Sequence, residues 1–130
     1  METRDSGLLI FRGETLGEQK EATSSGELFQ NNTLRPILKL QNELLISIFK
    51  SYIAQHKNSF YDLGPAKKSD FIDNALQRDI ALKNVCKGLV MGMFTLQEYA
   101  EYERNASVLN KRMMGLITER LKSQLQLLEK

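Results

Sequence analysis

Residues 95–128 read TLQEYAEYERNASVLNKRMMGLITERLKSQLQLL, and their spacing decides the fold class. Thr95-Leu96-Gln97-Glu98 forms a capping box: the Thr95 hydroxyl accepts the N–H of Glu98, and the Glu98 carboxylate reaches back to the N–H of Thr95. Phe94, just before the cap, is placed to pack on Tyr99 as a hydrophobic staple. Beyond it, Tyr99, Tyr102, Ala106, Leu109, Met113 and Leu116 alternate three- and four-residue steps, the seam of a coiled coil. The seam then slides to Ile117, Leu121, Leu125 and Leu128. One helix over this whole stretch has ~33 residues and a length of ~50 Å.

Upstream, two more helices are punctuated. The first opens at Thr33, a capping residue, with Pro36 in its first turn where a missing N–H costs nothing. Its stripe runs through Leu34, Ile37, Leu38, Leu44, Leu45, Ile48, Phe49, Tyr52 and Ile53, with Gln41 interrupting the centre, and fades near Lys57. After Gly64-Pro65 the second helix spans about Ala66 to Met91, and Gly92 supplies a stop. Its stripe is Phe71, Ile72, Ala75, Leu76, Leu82, Val85, Cys86, Leu89 and Val90, with Asp79 in the middle. Gly88, costly inside a helix, implies a close backbone contact with a neighbour.

The expected fold is therefore all-α, with three long helices in an antiparallel bundle. The third outreaches its companions, so Leu121, Leu125 and Leu128 need cover from elsewhere. Dimerisation, completing the bundle through those leucines, is the preferred source, and a monomeric bundle with a frayed tail is the alternative.

Residues 1–32 read as a flexible N-terminal arm or linker, and 33–130 as the helical bundle domain. Gly7, Gly13, Gly17 and Gly26 interrupt the arm, and Ala22-Thr23-Ser24-Ser25-Gly26 has linker composition. Its clusters Leu8-Leu9-Ile10-Phe11 and Leu28-Phe29 suit docking to a protein partner or a neighbouring subunit, a strap over the chain's own core, or plain disorder.

Composition narrows the function classes. The apolar and charged fractions, 42% and 26%, are those of a globular domain. The net charge of +2 conceals an acidic arm and a basic body. The positive charges are spread over every helix, without the concentrated stripe that nucleic acid requires, so nucleic-acid binding is not expected. No apolar run approaches the ~18–20 residues of a membrane span, and the lone Cys86 allows no intrachain disulfide. A cytoplasmic address without membrane contact is expected.

No reaction is specified. His56 is the only histidine and has no carboxylate one turn before it, and Cys86 lacks a neighbouring thiol or imidazole. No metal, cofactor or catalytic set is expected, and Cys86 reads as an inert core thiol. Asp79, Tyr102 and His56 are the polar candidates for a pocket between helices. A buried Asp79 needs a partner such as Lys83, Gln41 or Tyr102.

The stretches Thr33–Asn42, Met91–Thr95 and Leu109–Met114 resemble a family of short bacterial helical proteins, some of which carry the label "glyoxalase". That label implies a βαβββ metal lyase acting on a glutathione hemithioacetal. One histidine and no strand-rich repeats do not supply its ligands or its fold, so no residue role is carried over. The leading expectation is a non-enzymatic, self-associating helical interaction module. The alternative is a small-molecule-binding protein or enzyme (lactoylglutathione lyase in its extreme form) with a pocket between helices.

Overall fold

A computed structural model describes residues 4–13 and 24–129, all without strands. Its helices are α1 (Arg4–Phe11), α2 (Ser25–Phe29), α3 (Arg35–Leu40), α4 (Asn42–Gln55), α5 (Pro65–Arg78), α6 (Ile80–Met91), α7 (Leu96–Arg104) and α8 (Ala106–Lys122). A π-helical turn, Gln30–Leu34, joins α2 to α3, and 3-10 turns cover Ser59–Asp62 and Leu125–Leu128. The all-α class holds.

The three long helices expected from the sequence are instead broken, the first at Gln41, the second at Asp79, and the third at Asn105 and again past Lys122. Gln41 leaves helical geometry (φ −90°, ψ 6°), and its side-chain amide donates to the Leu89 carbonyl at 3.1 Å. Asp79 is extended (φ −86°, ψ 102°), and its carboxylate accepts the Leu82 N–H at 3.0 Å, capping α6. Asn105 (φ −129°, ψ 33°) separates α7 from α8. Asp and Asn side chains compete with the helix for nearby backbone groups, so both residues suit ends better than interiors.

The breaks shorten everything. The longest helix, α8, has 17 residues and spans about 25 Å. Past Lys122 the chain turns back through Leu125–Leu128 onto α4. Leu121 and Leu128 are 0% exposed, and Leu125 packs partly buried on the core. The leucines expected to seek a second copy are covered by their own chain, so a long helix offering them for dimerisation is corrected. The Tyr99–Leu116 seam likewise serves this core: Tyr102, Leu109, Met113 and Leu116 are buried, while Tyr99 is exposed.

The first helix begins earlier than Thr33, which caps nothing and is buried. Helical structure starts at Ser25, where Ser24 accepts the Glu27 N–H at 3.1 Å. The π turn sits just before Pro36, with the Arg35 N–H reaching the Gln30 carbonyl. A proline ring crowds the carbonyl four residues back, and the wider turn relieves that crowding. Phe29 is buried and meets Phe94 edge-on at 5.6 Å, so the boundary expected between residues 32 and 33 falls inside a continuous packed unit.

α4 and α6 run antiparallel: Gln41 meets Leu89 at one end, and Tyr52 and Asp79 line one cavity at the other. Phe49, Phe60 and Phe71 cluster at centroid distances of 5.3–6.3 Å, mostly edge to face. Each such pair contributes about 0.5–1.5 kcal/mol beyond simple burial.

Candidate interaction surfaces

The three polar candidates do not converge. Tyr102 is buried beside Phe94 and donates its hydroxyl to Asn110. Asp79 is the half-buried cap of α6 rather than an interior acid seeking Lys83, Gln41 or Tyr102. His56 is exposed at the end of α4, its Nδ1 2.9 Å from the Tyr52 carbonyl and its ring 4.1 Å from the Tyr52 ring. Asp79 and His56 thus both adjoin Tyr52, a residue not singled out beforehand. Burial, and then the negative charge of Asp79, push the Tyr52 phenol above its ordinary pKa. Tyr52, Phe71, Asn74, Arg78 and Asp79 line a shallow cavity of about 390 Å³.

The most enclosed charge pair lies elsewhere, where α1 docks on the turn from α6 to α7. Arg4 donates to the carbonyls of Gly92 and Phe94 at 2.9 and 2.8 Å, and Asp5 accepts the Leu96 N–H at 3.1 Å. A cation on the carbonyl end of one helix and an anion on the N–H end of the next match both dipoles. Arg12, whose side chain is 0% exposed, clamps Glu98 with two bonds of 2.7 and 2.9 Å, and Thr33 donates to the same carboxylate at 2.9 Å. Glu98 also accepts the Thr95 N–H, completing the expected capping box. Phe94 packs on Phe29 and Tyr102, while Tyr99, its expected staple partner, is 42% exposed. Burial would raise the Glu98 carboxyl, but the bonds from Arg12, Thr95 and Thr33, with the Arg12 charge, hold it below its ordinary value. Every lone pair needed is engaged, so this network is a clasp rather than a reactive site.

Residues 4–13 form a docked strap that Gly13 (φ +70°) terminates, and residues 24–32 belong to the packed body. The linker segment 14–23 lies outside the described residues. Of the two arm clusters, Phe29 enters the core, while Ile10 and Phe11 remain about 70% exposed.

Two further surfaces stay open among the described residues. One is a groove of about 880 Å³ between α5, α6 and α8. Its floor includes Leu76, Met114 and Gly115, and its rim carries Lys83, Lys87, Lys111 and Lys122 against Glu119. Lys122 is paired with Asp73 at 2.9 Å, whereas Lys83, Lys87 and Lys111 come together from two helices. The sequence showed these lysines as scattered; the packing of α6 on α8 gathers them.

The other is the outer face of α4 and α6. The stripe positions Leu44, Ile48, Ser51 and Gln55 on α4, and Ala81, Val85 and Gly88 on α6, hold no charge. Leu44 and Val85 are each 51% exposed, and the antiparallel register puts them level with one another. Both belonged to stripes expected to be core. Gly88 meets nothing within 4 Å of an added Cβ, so the close neighbour expected of it is absent among the described residues.

Cys86 is buried, and burial pushes its thiol up to about 11. Among the described residues no three metal-ligating side chains gather, and no helix is long and apolar enough to cross a membrane. No protein-family model, curated protein or solved structure matches the chain, so the geometry of its own surfaces must carry the functional reading.

Proposed function

We propose that this chain is a non-enzymatic helical interaction module that pairs weakly with a second copy of itself across the α4–α6 face. The observation that carries the reading is the half-exposed pair Leu44 and Val85, level on adjacent helices in an uncharged strip. A twofold interface brings a patch against its own image, so a patch free of charge meets no like-charge repulsion. Covering a half-exposed Leu or Val contributes roughly 1 kcal/mol, and symmetry doubles each contribution. Association itself costs at least ~4 kcal/mol, which these two side chains do no more than offset, so the dimer is very weak and forms only at about millimolar concentration or above.

Sedimentation velocity over a concentration series tests this. A reversible monomer–dimer equilibrium is expected, abolished by Leu44→Glu or Val85→Glu without loss of helicity. A parent chain that stays monomeric up to millimolar concentration, or variants that dimerise equally, would overturn the reading.

One observation favours a second reading, a small-molecule site at the Tyr52 cavity. The phenol there is held protonated and faces Asn74, Arg78 and Asp79 across a space large enough for a small ligand. Fragment binding that shifts the amide signals of Asn74 and Asp79 selectively would support it; signals unmoved by a broad fragment set would exclude it.

A further inference from the structure

We infer that the groove between α5, α6 and α8 is a docking site for an acidic amphipathic helix of a partner protein. The face is separate from the α4–α6 strip, because Lys83 and Lys87 lie on the side of α6 that meets α8, while Val85 lies on the side that meets α4.

Three features select this occupant. The first is shape. The α8 positions lining the groove are Asn110, Lys111, Met114, Gly115, Thr118, Glu119, Lys122 and Ser123, an unbroken three-four stripe. From Asn110 to Ser123 that stripe runs about 20 Å, which matches three to four turns of a bound helix. The second is the floor. Gly115 is exposed with open space beside it, and Thr118 is small, so a partner backbone can come close between Leu76 and Met114. Met side chains adapt readily to varied apolar surfaces. The third is charge. Lys83, Lys87 and Lys111 outnumber Glu119, and Lys122 already holds Asp73. Two copies of so positive a groove repel, which excludes self-pairing here and calls for carboxylates on the incoming face. A helix laying apolar anchors in a groove, with its flanking charges meeting a rim, is a recurring mode of recognition.

Nucleic acid is the less suitable polyanion. An apolar floor of Leu76 and Met114 gives a phosphate backbone nothing, and Glu119 on the rim repels it.

The test is a display selection of random helical 14-residue peptides against the full chain, followed by fluorescence anisotropy of the recovered peptides. A single-stranded DNA oligonucleotide and phosphatidylglycerol vesicles are measured alongside. Recovered peptides are expected to alternate Leu, Met or Phe with Glu or Asp at helical spacing, and to weaken with added salt. Lys87→Glu combined with Lys111→Glu should lower their affinity at least tenfold. Gly115→Leu fills the groove without altering its charge or touching the core, and should do the same without lowering the thermal unfolding midpoint. The Leu44→Glu variant, which disables self-pairing, should bind these peptides as the parent does. No binders, binders lacking acids, binders indifferent to Gly115→Leu, or tighter binding of the oligonucleotide or vesicles would each overturn the proposal. Failure of self-pairing alone would leave these readouts untouched.

Discussion

Asn42 and Gln124 form a reciprocal amide pair: Asn42 Nδ2 donates to Gln124 Oε1 at 2.7 Å, and Gln124 Nε2 donates to Asn42 Oδ1 at 2.8 Å. This pair ties the start of α4 to the segment just past α8, and Gln124 Nε2 also reaches the Arg120 carbonyl at 2.9 Å. The clasp turns the chain so that Leu128 enters the core. Gln124→Ala should cost about 1–2 kcal/mol, since it leaves part of the Asn42 amide unanswered in a half-buried place. Urea unfolding measures the loss. Faster hydrogen exchange should appear at residues 125–128 before anywhere else; an unchanged exchange pattern there would refute the clasp.

The Arg12–Glu98 pair predicts an acid-labile strap. The folded pKa of Glu98 is depressed, so its stabilisation is present above the ordinary glutamate value and is lost as pH falls through the folded value. Stability should therefore decline below about pH 4.3, with α1 undocking ahead of the body. Glu98→Gln removes this pH dependence and, by taking the carboxylate away from the buried Arg12 guanidinium, costs about 3 kcal/mol at neutral pH. Thermal unfolding of both proteins across pH decides it: parallel profiles for parent and variant would exclude Glu98 as the cause.

The helical class and much of the core were legible because periodicity survives a kink. Ile37, Leu38, Leu45, Phe49 and Ile53 are buried as their spacing demands, and so are Ile72, Leu76, Leu82, Cys86 and Val90. The breaks were not legible from the stripes, because Gln41 and Asp79 each look like a single polar interruption of a continuing pattern, and Asn105 lies beside a seam whose spacing runs on unbroken. Asp79 did carry a signal: an acid three residues before Leu82 is a cap in the making. The strap was hidden for another reason. Arg4, Asp5 and Arg12 act through residues 81 to 91 positions away, and no local pattern encodes such partners. The lysine groove is of the same kind, built only when α6 lies on α8.

The chain reverses after α4 through two consecutive left-handed residues, Lys57 (φ 60°) and Asn58 (φ 57°), with the Asn58 N–H reaching the Ile53 carbonyl at 3.1 Å. Asn tolerates this conformation, but a lysine Cβ collides with its own backbone there. Lys57→Gly should raise stability by up to about 1 kcal/mol, as relief of that clash exceeds the entropy glycine adds to the unfolded state. Chemical denaturation measures it; destabilisation would mean that the Lys57 side chain holds the turn.

The Cys86 thiol, buried and pushed up to about 11, should resist reagents that attack thiolates. In mildly alkaline buffer, disulfide-exchange reagent should react at the rate of global unfolding and immediately in denaturant. Rapid reaction of the native chain would place Cys86 at a locally opening helix.

Gly88 and Gly115 offer a paired comparison, since both are exposed helical glycines with open space where a Cβ would go. Glycine in a helix interior costs up to ~1 kcal/mol relative to alanine. Among the described residues nothing offsets that cost, so Gly88→Ala and Gly115→Ala should each raise the unfolding midpoint. Their effects on association should differ. Gly88 borders the uncharged α4–α6 strip, and a methyl there should weaken self-pairing while leaving peptide binding in the lysine groove intact. Gly115 should show the reverse. Calorimetry paired with sedimentation and anisotropy separates the outcomes. If both alanines stabilise the fold and neither alters association, the two glycines lie outside any contact surface and both surface assignments lose their footing.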